Sequence, residues 1–144
     1  DQMHAWVTGI QAWDVCDQVC GVLFDKTPYA WDKVRAWAAR DEEFVRRAAF
    51  SLIAALAVHD KHAPDAHYLA LLPVIRAGAH DERNYVKKAV SWALRSIGKR
   101  NRALNRAAID EAEAIRQLDS RSARWVASDV LRELGSPAVQ ARLA

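Results

Sequence analysis

The sequence predicts an all-α fold, a solenoid of stacked helix pairs, and three observations predict it. Only five of 144 residues are glycine and four are proline, while 51% are hydrophobic, so little interrupts helix formation. Apolar residues recur at helical spacing through most of the chain. Finally, the pattern repeats: FVRRAAFSLIAAL at 44–56 and YVKKAVSWALRSI at 85–97 read alike at an offset of 41. Both run aromatic, valine, two basic residues, alanine, then apolar positions one helical turn apart. ARWVASDVLREL at 123–134 matches the second segment at an offset of 37, and the stripe within 12–23 matches the first at an offset of 33.

Each element follows from local chemistry. In QAWDVCDQVC, Ala12, Val15, Cys16, Val19 and Leu23 make one buried stripe. Thr27-Pro28 reads as an N-cap followed by proline at the first helical position of a helix over 28–40. Asp41 and Asp81 are placed to cap the helices over 44–56 and 85–97. Further helices are expected over 65–77, 102–117 and 123–134, with Gly78, Gly98 and Gly135 suited to helix ends. Two helices per unit of 33–41 residues is the signature of a HEAT-like α-solenoid. The expected shape is a right-handed superhelical stack, one helix of each pair lining a concave basic groove. Residues 1–144 read as a single such domain. The opening DQMHAW has no initiator Met and runs straight into helical pattern, as expected of a chain lacking the N-terminal repeats of a longer protein.

Charge is unevenly spread. Residues 1–43 balance to −4, residues 44–106 to +8 and residues 107–144 to −1. A solvated helical surface normally mixes its signs, so this block points to a polyanionic partner. No apolar run is long enough to cross a bilayer. Cys16 and Cys20 read as small core residues in a reduced intracellular protein. HDKHAPDAH at 59–67 reads as a proline-bearing surface loop, not a zinc site.

On 85–97 the buried stripe is Val86, Ala89, Val90, Ala93, Leu94 and Ile97, which leaves Tyr85, Lys88, Trp92, Arg95 and Lys99 beside it. The matching positions are Phe44, Arg47 and Ser51 one repeat earlier, and Trp13, Asp14 and Asp17 before that. Stacking would place Trp13, Asp17, Arg47, Lys88 and Trp92 on one surface. Cations serve phosphates there, and flat rings serve bases or sugars. A carboxylate among them repels phosphates, and makes sense where positive charge has to be stabilised. Simpler readings remain open: Trp13 as core, Asp17 paired with a nearby cation, Arg47 and Lys88 as solvated charges or links between repeats.

AWDVCD, FVRRAAF and YVKKAVSWALRSIGKRN together resemble the bacterial DNA alkylation repair (AlkD-like) family of HEAT-repeat DNA glycosylases. The resemblance implies excision of cationic N3- or N7-alkylated purines from duplex DNA, with the lesion left in the base stack and no cofactor or metal. It implies that Trp13 and Trp92 are the active-site indoles, Asp17 the catalytic carboxylate and Arg47 the residue holding the backbone. Arg46, Lys87, Lys88, Lys99, Arg100 and Arg102 are candidate DNA contacts, with simple solvation as the alternative for the outer ones. The expected setting is cytoplasmic, a monomer on double-stranded DNA with alkylated bases and no membrane partner. The chemistry is coherent: as the bond from a cationic base to its sugar breaks, the sugar gains oxocarbenium character, which a carboxylate stabilises while orienting water. Indole faces attract such cations too. Two other functions fit the same sequence, a non-catalytic binder of distorted duplex and a protein-interaction scaffold.

Overall fold

A computed structural model describes residues 34, 36–59 and 64–143. His59 ends one helix and Asp65 opens the next, while Trp13, Asp14, Asp17, the two cysteines, Thr27-Pro28 and residues 60–63 of the segment read as a loop over 59–67 lie outside the described residues. Within them the chain is all helical, with no strand. After helical residues 36–38 come α1 (Glu43–His59), α2 (Asp65–Gly78), α3 (Asn84–Gly98), α4 (Arg102–Arg116), α5 (Arg121–Leu134) and α6 (Pro137–Leu143). The short α6 was not expected from the sequence.

The helices lie in two rows. α1 packs on α3 and α3 on α5, while α2 packs on α4 behind them. Every residue of the stripe expected on α3, from Val86 through Ile97, is buried. Hydrogen bonds between the units join residues about one repeat apart. Ser91 Oγ donates to Asp129 (2.5 Å), Arg76 Nε to Glu111 (2.5 Å) and Asn101 Nδ2 to Asp65 (3.0 Å), across separations of 38, 35 and 36 residues. The period visible in the sequence therefore returns as the spacing of these bonds.

Several local expectations change. Asp81 does not cap α3, whose N-cap is Arg83 without a side-chain cap bond. Instead Asp81 Oδ1 accepts the Arg83 backbone N–H at 2.9 Å, turning the chain into the helix from two residues upstream. Capping side chains are Asn101 on α4, accepting from Leu104 N at 2.8 Å, Ser120 on α5, accepting from Ala123 N at 3.2 Å, and Ser136 on α6, accepting from Val139 N at 3.4 Å. Among the described residues no glycine has a positive φ. Gly78 is required by space instead, since a Cβ there would sit 2.3 Å from the buried Phe50 ring. Ser51 is buried as well, because α1 is apolar around its whole circumference from Ala48 to Ala57.

Candidate nucleic-acid interface

Burial of the middle of α1 confines its exposed chemistry to the first turns, where Arg46 and Arg47 stand side by side and do different work. Arg46 turns toward the loops, with Nη1 donating to Asp81 Oδ2 at 2.9 Å and Nη2 3.4 Å from Asp41 Oδ1. Arg83 reaches the same Asp81 carboxylate at 2.7 Å and donates to the Asp41 carbonyl, also at 2.7 Å. Ser122 Oγ, at the start of α5, donates to the Asp81 carbonyl at 2.6 Å. Asp81 thus joins three successive units. Burial alone would raise its carboxyl, but hydrogen bonds from Arg83 and Arg46 outweigh that and hold it at about 2.

Arg47 turns toward α3. Its Nη1 donates to the Tyr85 carbonyl at 2.8 Å, and its guanidinium carbon lies 5.9 Å from the Tyr85 ring centre. Lys88 approaches the same ring at 5.8 Å. Tyr85 is exposed, and its ring has a cation from each helix nearby at the α1–α3 seam. The Lys88 ammonium is exposed and makes no hydrogen bond or ion pair with the described residues. One turn further on, Trp92 is partly buried and forms a wall of an open pocket of about 390 Å³, with Ala57, Val58, Ser96, Lys99, Arg100 and Arg142. Arg47, Lys88 and Trp92 therefore share one seam.

The remaining candidates have partners within the protein. Lys99 Nζ and Arg95 Nη1 each lie 2.6 Å from a different Glu133 oxygen. Burial would raise Glu133, yet these hydrogen bonds outweigh it and keep its carboxyl below the usual range, so it stays charged and offsets the two cations. Arg100 donates to the Ala57 carbonyl at 2.7 Å and lies 4.3 Å from the centre of the Tyr68 ring, whose hydroxyl donates to the Leu56 carbonyl. Arg102 is exposed and lies 3.4 Å from the Leu143 carbonyl. Lys87 sits 5.1 Å from the ring of Trp125 on α5. Trp125 is exposed and was not singled out from the sequence, although the offset of 37 sets it against Lys88. Arg142 was missed too, because it belongs to the unanticipated α6.

Chemically, the seam offers exposed positive charge beside flat rings, the requirements of a surface that tracks a phosphate backbone. Among the described residues there is no group of three His, Cys, Asp or Glu side chains able to hold a metal. No described helix is long and apolar enough to cross a membrane. No curated protein and no solved structure matches the chain. The family model described as "DNA alkylation repair enzyme" matches residues 1–136, a span that takes in the α1–α3 seam and also Trp13 and Asp17. With almost the whole chain inside that match, this protein belongs to the DNA alkylation repair enzyme family, and its role is in DNA repair.

Proposed function

We propose that this protein is a DNA glycosylase that hydrolyses the N-glycosidic bond of cationic N3- and N7-alkylated purines in duplex DNA. The observation that carries the reading is the α1–α3 seam, where Arg47, Lys88 and Trp92 line up within a chain matched to an alkylation repair family. On this reading the two rows of helices continue as a HEAT-like, right-handed α-solenoid, with the seam in its concave groove. The protein acts as a cytoplasmic monomer on alkylated double-stranded DNA.

Each residue then has a defined task. Arg47, oriented by its bond to the Tyr85 carbonyl, brings a positive charge to the backbone beside the lesion. Lys88 adds a mobile charge to the same strand. Trp92 packs on the deoxyribose of the lesion opposite Trp13, and both rings favour the cationic sugar over the neutral one. Asp17 stabilises the oxocarbenium ion and orients the attacking water. The base leaves as a neutral purine because the alkyl group had already made it positive, and water supplies the hydroxyl that ends on C1′. The proton lost by the water passes to Asp17 or to solvent.

The test is direct. Incubation of the protein with methylated duplex is expected to release free N7-methylguanine or N3-methyladenine, read by chromatography, in proportion to enzyme and time. Binding that weakens as salt rises, with no base released, would leave a non-catalytic binder of DNA. Absence of both would leave a protein scaffold.

A further inference from the structure

The pocket beside Trp92 contains one cation unlike its neighbours. Lys99 is offset by Glu133, and Arg100 is committed to the Ala57 carbonyl and the Tyr68 ring. Arg142, in the last turn of α6, is exposed and makes no hydrogen bond or ion pair with the described residues. It also lies beyond residue 136, where the family match ends. Arg142 thus adds an uncommitted guanidinium to a lining that, among the described residues, also holds Trp92, Ala57, Val58, Ser96 and the two committed cations Lys99 and Arg100.

The geometry points to a phosphodiester subsite in this pocket, with Arg142 as the residue that grips a DNA backbone phosphate while its sugar rests on Trp92. The inference rests on the reading of the α1–α3 seam as the DNA-facing surface. Three features favour that occupant. The pocket, at about 390 Å³, is in the range of small-ligand clefts and admits one nucleotide unit rather than a helix or a strand of protein. Among the described residues its formal charge remains positive after Glu133 is counted, which favours an anion. Its indole wall suits a sugar face better than it suits a free, fully hydrated anion. A guanidinium with all its donors unspent can meet two phosphate oxygens at once, and exposure lets it close over the strand without first breaking an internal bond.

The experiment measures binding of undamaged fluorescent duplex over a salt series. Arg142→Ala is expected to weaken binding roughly eightfold at 0.1 M salt and to lower the slope of log affinity against log salt by about 0.9, the loss of one phosphate contact. Arg142→Lys should recover most of the slope. Arg106→Ala is the matched control: its side chain is also exposed and unpaired among the described residues, but lies with Asp110 and Gln140 in another pocket. An unchanged slope in Arg142→Ala, or an equal change in Arg106→Ala, overturns the subsite. Inorganic phosphate replacing chloride at equal ionic strength is expected to leave duplex binding unaltered. Displacement by phosphate in the wild type alone would assign the pocket to free phosphate and overturn the backbone contact. Base release is read in parallel with the same wild-type protein on methylated duplex. No release with the Arg142 effect intact removes the glycosylase reading and leaves the subsite standing, while the converse removes only the subsite.

Discussion

Replacing Asp17 with asparagine is expected to slow base release by about 10²–10³-fold while leaving duplex affinity unchanged or slightly higher. Asparagine keeps the shape and one carbonyl acceptor of aspartate but removes the charge. Binding gains nothing from that charge, since phosphates repel it. The bond-breaking step gains a great deal, because positive charge grows on the sugar only as the base departs. An interaction stronger in the transition state than in the ground state acts on rate and not on affinity. Single-turnover release and equilibrium binding, measured on the same methylated duplex, separate the two. A variant that releases base at the wild-type rate shows that the carboxylate takes no part in the reaction. A variant that fails to bind shows that it serves the fold.

Asp81→Ala is expected to cost about 2–3 kcal/mol of folding stability, because it removes the acceptor shared by two partly exposed guanidinium groups at a side chain only 5% exposed. The effect has a pH signature. The folded carboxyl sits at about 2, below its ordinary value near 4, so its contribution is complete above about pH 4 and is lost as pH falls toward 2. Urea unfolding of wild type and variant should therefore show a wide gap at neutral pH that narrows steadily below pH 4. A gap constant across that range would mean that packing, and not the ion pairs, explains the loss.

Much of the helical register was legible in the sequence, because it rests on periodicity alone. The stripe from Val86 to Ile97 is buried as its spacing implies, and the aromatic-valine-basic-basic-alanine pattern marks α1 and α3. What was hidden depends on how neighbouring units meet. Lys88 and Lys99 look alike on a helical wheel, yet Glu133, 34 residues beyond Lys99, engages one of them and not the other. Gly78 reads as a helix stop, but its small size is needed because Phe50 of another helix presses on it. Asp81 reads as a cap because it precedes a helix by a few residues, whereas its carboxylate is drawn to two arginines, one from α1 and one from its own loop. The nearly unbroken apolar run Ala48–Ala57 did signal that α1 is buried on every side, and only the assumption of a two-faced helix placed Ser51 outside. Of the proposed catalytic set, Arg47 and Trp92 fall on one seam, and Trp13 and Asp17 stand on sequence resemblance.

Amine-reactive labelling of Lys88 tests most directly whether the α1–α3 seam is the surface that meets DNA. Lys88 has an exposed ammonium without an ion pair, so it should acetylate readily in the free protein, whereas Lys99, held by Glu133, should react slowly. Saturating duplex is predicted to suppress labelling of Lys88 strongly at low salt, with labelling returning as added salt releases the DNA. If Lys88 is labelled at the same rate with duplex fully bound, DNA lies on some other face, and the assignment of the seam is contradicted.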